Sequence, residues 1–158
     1  MDHMKTKTLG SILALCFLGG AACFAGDSPQ MGTWKLNESK SKLDPAGPKN
    51  DTVVYAAAGD DVKVTVDGTD KDGKATHNEW TGKFDGKDYP VTGDPVSDMR
   101  SYKKVDDRTL EITNKKDGKV TVSGRAAVSA DGKSRTVHLS GTDAEGKKFK
   151  TKAVYDKQ

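Results

Sequence analysis

The chain has 158 residues, 34% of them hydrophobic, and a formal net charge of +3 made of 26 Lys and Arg against 23 Asp and Glu. Charges this evenly interleaved argue against nucleic acid or an anionic membrane as partner, because both favour a clustered basic patch. Both cysteines, Cys16 and Cys23, fall in the N-terminal leader, so the chain after it can use no disulfide, thiolate metal site or cysteine nucleophile.

Residues 1–25 read as a signal peptide. Lys5 and Lys7 make a positive start, Ile12 to Ala25 an apolar run, and Cys23-Phe24-Ala25 a small-residue cleavage site before Gly26. The run is too short for a membrane span, and no transmembrane segment is expected after cleavage. Cys23 follows Gly20-Ala21-Ala22. A lipid-attachment box carries a leucine-like residue where Gly20 stands, so cleavage after Ala25 is the reading and lipid attachment at Cys23 is not. The leader predicts a periplasmic or secreted protein, with residues 26–158 as one domain around one core.

The pattern after the leader is that of a turn-rich β protein rather than a disordered one, with valine, threonine and tyrosine recurring in short alternating runs. Thr33 to Asn37 reads as a first strand, and 40–50, with Pro45, Gly47 and Pro48, as a connector that cannot stay helical. Thr52 to Ala57 is a second strand. Val62 to Val66 is a third, in strict alternation with its valines on one face. One device then recurs: Asp72-Gly73-Lys74, Asp85-Gly86-Lys87, Asp117-Gly118-Lys119 and Asp131-Gly132-Lys133, with Glu145-Gly146-Lys147 as a near copy. Asp-Gly supplies the positive φ of tight hairpin turns. Strands are predicted between these turns over 75–83, 87–92, 99–105, 109–115, 119–129, 134–142 and 147–155. The segment 67–79 has calcium-loop spacing at Asp70, Asp72, Gly73 and Glu79, but Gly68 brings no oxygen ligand to the first position, so a hairpin is expected there. About 8–10 short antiparallel strands need their edges removed. The predicted fold is therefore an all-β, up-and-down antiparallel barrel, with a β-sandwich as the alternative.

Gly32-Thr33-Trp34 resembles the Gly-x-Trp signature of lipocalins, and Gly32-Thr33-Trp34-Lys35-Leu36 the opening of intracellular fatty-acid-binding proteins, both of the calycin group. The block from Trp80 to Pro90 is similar to a pattern in uncharacterised secreted bacterial lipocalin-like proteins. The resemblance covers the region after the leader as architecture. It implies a calycin-like barrel in which Trp34 plugs the closed end. The chain departs from fatty-acid-binding proteins twice. Segment 40–50 is too short for their two lid helices, and the last strand has Tyr155 but no arginine of their Arg-x-Tyr carboxylate reader.

Tyr55, Trp80, Tyr89 and Tyr102 each join an apolar body to one polar group, the mixture that small-molecule pockets use, and they are the candidate ligand-binding residues. Arg100 and Arg125 are the arginines placed on strands where a bidentate pair with an anionic group is conceivable, although alternation sets Arg125 beside Ser123 and Ser129. Trp80 and Tyr89 flank the Asp85-Gly86 turn, and Pro90 and Pro95 end pairing early, which predicts the barrel's mouth there. Neither His77 nor His138 has a metal-ligand neighbour at a recognised spacing, so no metal or cofactor is expected. Ser101-x-x-Lys104 fits a catalytic pattern that needs a helix, and on a strand the two side chains point to opposite faces. Lys148, Lys150 and Lys152 read as a solvated face. The expected function is non-catalytic binding of a small, partly apolar ligand. The alternative is an envelope protein-interaction module, an inhibitor or stress-response factor, using loops such as 84–98.

Overall fold

The computed structural model describes residues 27–158, so the leader expected over 1–25 lies outside the described residues. Ten strands follow one another: β1 (Gly32–Leu36), β2 (Lys49–Ala58), β3 (Asp61–Thr69), β4 (Ala75–Gly82), β5 (Tyr89–Thr92), β6 (Met99–Lys104), β7 (Thr109–Lys116), β8 (Lys119–Val128), β9 (Ser134–Thr142) and β10 (Lys148–Lys157). Each pairs antiparallel with the next, and β1 also pairs with β10, Trp34 opposite Lys157 and Leu36 opposite Tyr155. The sheet therefore closes as an up-and-down barrel, as the strand pattern predicted, and not as a sandwich. The connector after β1 carries a single 3-10 turn at Glu38–Lys40. No helix among the described residues is long and apolar enough to cross a membrane.

Alternation sets the register. Val62, Val64 and Val66 of β3 are buried inside, and Trp80 and Asn78 of the neighbouring β4 pair with Val64 and Val66 and turn inward with them. Two turn chemistries hide behind the repeated Asp-Gly-Lys. At Asp117-Gly118 both residues have positive φ, 49° and 78°, the two-residue hairpin that Asp-Gly favours. At Gly73, Gly132 and Gly146 only the glycine does, and its amide donates to the carbonyl three residues earlier, the hydrogen bond that closes a β-turn.

Because strand direction alternates, successive turns fall at opposite ends of the barrel. The β2–β3, β4–β5, β6–β7 and β8–β9 turns share one end with the N-terminal segment. The connector 37–48 and the β3–β4, β5–β6, β7–β8 and β9–β10 turns share the other. The first end is sealed. Trp34 has no exposed surface, its indole Nε1 donates to the Gln30 carbonyl at 2.7 Å, and the Gln30 side-chain amide donates to the carbonyls of Arg108 at 2.9 Å and Ala126 at 3.1 Å. One turn of chain just before β1 thus ties β1 to the β6–β7 turn and to β8.

Above this seal lies an aromatic cluster of Tyr55, Trp80, Phe84, Tyr89 and Tyr102. Its rings meet edge to face, with Trp80 and Tyr102 closest at 4.7 Å between centroids. Gly82 makes room for it. A Cβ there would come within 2.5 Å of the Tyr89 ring.

Trp34→Ala would leave a large cavity at the sealed end and free the Gln30 carbonyl. Urea unfolding should show a loss of about 3–5 kcal/mol, the range for truncating a buried tryptophan. A loss below about 1 kcal/mol would mean that this tryptophan does not hold the seal.

Candidate functional site

The barrel interior opens at the end opposite Trp34 into a cavity of about 300 Å³. Its walls are apolar side chains from β2, β3, β7, β8 and β9: Val53, Val66, Ile112, Val122, Val137 and Leu139. Its rim is made by residues 45–50 of the connector and the start of β2, and by 69–71, 93–96 and 143–145 at the β3–β4, β5–β6 and β9–β10 connections. These segments all belong to one end because the topology delivers every second connection there.

The connector forms a non-helical cover over part of the rim. Lys42 exchanges both backbone hydrogen bonds with Lys152 of β10, at 2.7 and 2.9 Å. The Asp44 amide donates to Thr151 Oγ1 at 2.9 Å, and the Asp44 carboxylate accepts from the backbone amides of Ala46 and Lys150 at 2.9 and 3.2 Å. These backbone donors, Ala46 first and then Lys150, lower the carboxyl's pKa below its ordinary 3.8. Gly47 packs directly on the Phe149 ring, where a Cβ would stand 3.0 Å from it. At the rim, Lys71 of the β3–β4 turn and Glu145 of the β9–β10 turn form an ion pair across the chain. Both are exposed, so solvent screening leaves the pair little weight in stability.

Inside the mouth sits a buried polar cluster. Arg100 of β6 donates through Nε to Asn114 Oδ1 at 3.0 Å, through Nη1 to Asn78 Oδ1 at 3.1 Å and through Nη2 to Asp94 Oδ2 at 3.2 Å. Asp94 comes from the β5–β6 loop, where Gly93 at φ 80° lies against the His77 carbonyl. Arg100 is thus neutralised, with every nitrogen partnered.

Near the sealed end the polar group is Arg135 of β9, 3% exposed and part of the cavity lining. Its Nη2 donates to the Tyr55 hydroxyl at 2.7 Å. Its guanidinium carbon lies 4.7 Å from the Tyr55 ring centroid, 5.7 Å from Tyr155 and 5.9 Å from Trp34, close enough for cation–π attraction. Burial raises the Tyr55 phenol well above its ordinary pKa of 10.0, with Arg135 opposing the shift. Burial likewise pushes Tyr155 up to about 12, again against Arg135. Both phenols are neutral at physiological pH and give the arginine no counter-charge.

The residues singled out in the sequence fall in three places. Tyr55 and Tyr102 line the cavity. Trp80 and Tyr89 do meet across the Asp85-Gly86 turn, 5.6 Å between centroids, but that turn lies at the sealed end. Trp80 is 1% exposed, its Nε1 donates to the Arg100 carbonyl at 2.9 Å, and it takes no part in the cavity wall. The Tyr89 hydroxyl donates to Asp85 at 2.8 Å on the outside. The mouth predicted at this hairpin is therefore misplaced by the length of the barrel, and only residues 93–96, just beyond it, reach the rim. Arg125 points outward beside Glu111, 3.6 Å away, and cannot reach the interior. Trp34 sits at the sealed end. His77 is exposed between Asp67 and Glu79, and His138 lies on the outer face opposite Lys152 and Arg125. Sequence reasoning passed over Arg135, although it shares its strand face with Val137 and Leu139, the parity that marks an inward residue.

No protein-family model matches the chain, and the comparison with curated proteins finds no match.

Two outcomes follow from the mouth. Asp94→Ala leaves Arg100 buried without its counter-ion, and chemical denaturation should show a loss of about 3–5 kcal/mol. Asp44 carries the pH dependence of the cover. Its folded pKa lies below the ordinary 3.8, so its stabilisation is complete above that value and is lost as pH falls through the lowered folded value. Amide exchange at Ala46 and Lys150 should accelerate in Asp44→Asn at neutral pH relative to the parent protein.

Proposed function

We propose that this protein is an exported, non-catalytic binding protein that holds one small, partly apolar molecule inside its barrel. The observation that carries the reading is the interior itself, a single-ended cavity of about 300 Å³ with apolar walls and a few convergent polar groups. That combination, at the low end of the usual ligand-pocket size, is the form small-molecule sites take. Kinship with calycin-like barrels is part of the proposal, supported by the closed ten-strand up-and-down sheet together with Gly32-Thr33-Trp34. Export to the periplasm or the medium is likewise proposed, on the leader pattern of residues 1–25.

Chemically, the cavity offers shape, apolar contact and hydrogen bonds. The polar residues that reach it, Arg100 with Asn78, Asn114 and Asp94, and Arg135 with Tyr55, are held by one another in positions suited to orienting a ligand.

Native mass spectrometry of the protein purified from its own host tests the reading, with a bound mass of a few hundred daltons or less expected. In Leu139→Trp the added ring fills the cavity at a cost of about 1–3 kcal/mol, and the bound mass should disappear while the β-sheet circular dichroism persists. A stoichiometric protein partner with no small molecule would instead favour the interaction-module alternative.

A further inference from the structure

We propose that the outer wall over β8, β9 and β10 is a docking face for an acidic polysaccharide, a linear polymer that carries carboxylates and hydroxyls side by side.

Charges that are interleaved along the chain are sorted on this wall by strand parity. From Lys148 to Lys152 of β10 every second residue is an exposed lysine, with Phe149 and Thr151 buried between them. Antiparallel register sets further cations beside Lys152: His138 of β9 lies opposite it, Arg125 of β8 opposite His138, and Lys42 of the connector on its other side. These four form one row around the barrel with a cross-strand step of about 4.8 Å, and Lys150 and Lys148 continue from it along β10 in steps of about 6.7 Å. All six side chains are exposed. Five of them are lysine or arginine in a chain whose net charge is +3, so positive charge is concentrated here and the remaining surface is net negative.

The lysines have no use within the fold. The ammonium groups of Lys42, Lys148, Lys150 and Lys152 make no ion pair among the described residues. Two carboxylates border the face. Glu111 lies 3.6 Å from Arg125, and the oxygens of Asp44 accept the backbone amides of Ala46 and Lys150. A lysine stripe commonly guards an open sheet edge, but β10 has none to guard: it pairs with β9 from Lys148 to Asp156 and is covered by Lys42, Asp44 and β1 on its other side. Like charges set across from one another are destabilising, and an anionic partner offsets that cost.

What accompanies the charges selects the partner. The neighbouring row is hydroxylic: Thr113, Ser123 and Ser140 stand opposite one another and lead to Lys150, and Thr142 stands opposite Lys148. These hydroxyls make no hydrogen bond within the protein among the described residues, so open donors and acceptors run beside the cations. A polymer with sugar hydroxyls and carboxylates satisfies both rows. Single-stranded nucleic acid calls for aromatic platforms under its bases, and a membrane-adsorbing surface inserts apolar side chains. Neither kind of residue belongs to these rows.

Isothermal titration at low salt with polygalacturonate, neutral dextran, polyacrylate, single-stranded DNA and vesicles of phosphatidylcholine and phosphatidylglycerol tests this. Polygalacturonate should bind and dextran should not, and affinity should fall as salt is added, because exposed charges are screened. Lys148→Gln, Lys150→Gln and Lys152→Gln together should weaken binding at least tenfold, the scale of three exposed charges at up to about fivefold each. The same change at Lys74, Lys83 and Lys87, exposed lysines of the β3–β4 and β4–β5 connections, removes equal charge elsewhere and should alter it less than twofold. Exposed lysines tolerate glutamine, so both triple variants should keep the parent circular dichroism. Leu139→Trp, on the inner face, should leave polygalacturonate affinity unchanged, which separates this face from the cavity.

Equal weakening in the two triple variants, loss of binding in Leu139→Trp, or no binding of polygalacturonate would overturn the inference. So would tighter binding of polyacrylate, DNA or vesicles at matched charge, since each lacks the partner's combination of hydroxyls and carboxylates.

Discussion

Closure of the sheet is the constraint on which everything else depends. β1 has only five residues, yet it pairs with β2 on one side and β10 on the other, and without it the other nine strands would be an open sheet with two long exposed edges. Its short length makes that closure dependent on side chains. Trp34, in the middle of β1, is anchored through its indole to Gln30, whose amide in turn holds the β6–β7 turn and β8. The hydrogen bonds that close the cylinder and those that stop one of its ends are therefore made by neighbouring residues of one short segment.

A stopped end gives the interior a polarity along its axis. Large rings fill the sealed half, where Tyr55, Trp80 and Tyr102 contact one another edge to face, an arrangement that uses the electrostatics of the rings as well as their area. The open half is lined by aliphatic side chains and amides, with a fully partnered arginine at the mouth. Near the sealed end lies Arg135, the interior cation whose hydrogen bonds are incomplete among the described residues. A barrel evolved for stability alone would be better served by an aliphatic residue at that position, since replacing buried charge with well-packed apolar groups is commonly neutral or stabilising.

The strands were legible in the sequence because their signals are local. Period-2 alternation in Val62–Val66 and glycines at positive φ in the turns act over two to four residues, and tertiary contacts reinforce them. The turns were legible as turns but not as kinds. Asp117-Gly118 and Asp131-Gly132 read alike, and only the pairing register separates a two-residue hairpin from a wider turn closed by glycine. The candidate site was harder to read. Tyr55 and Tyr102 line the cavity, whereas Trp80, packed edge to face on Tyr102, is covered by its neighbours and Tyr89 hydrogen-bonds to Asp85 on the outside, so neither reaches it. Residue type does not say which ring of a packed cluster faces the cavity. Arg125 and Arg135 make the complementary point, since both sit on long strands and parity alone sends one to water and the other to the interior.

Which end is open is a global property, but it rests on an ordinal that the sequence contains. In an up-and-down barrel the connections alternate between ends, so every second one after the long β1–β2 connector shares its end. Counting from that connector, the β3–β4, β5–β6, β7–β8 and β9–β10 loops return to it, while the Asp85-Gly86 turn joins β4 to β5 and must lie opposite. The chain's longest connection, rich in proline and glycine, is the one segment with enough slack to frame an opening. The segment just ahead of β1 is the one placed to fill the other end. Given ten strands, those two lengths fix the mouth at the connector's end without reference to any aromatic residue. The same count places Arg135, the second residue of β9, at the sealed end, because the β8–β9 turn before it is an odd step from the Asp117-Gly118 turn at the mouth. Strand count, connector length and face parity together locate both the mouth and the buried cation. Read singly, each of them leaves both undetermined.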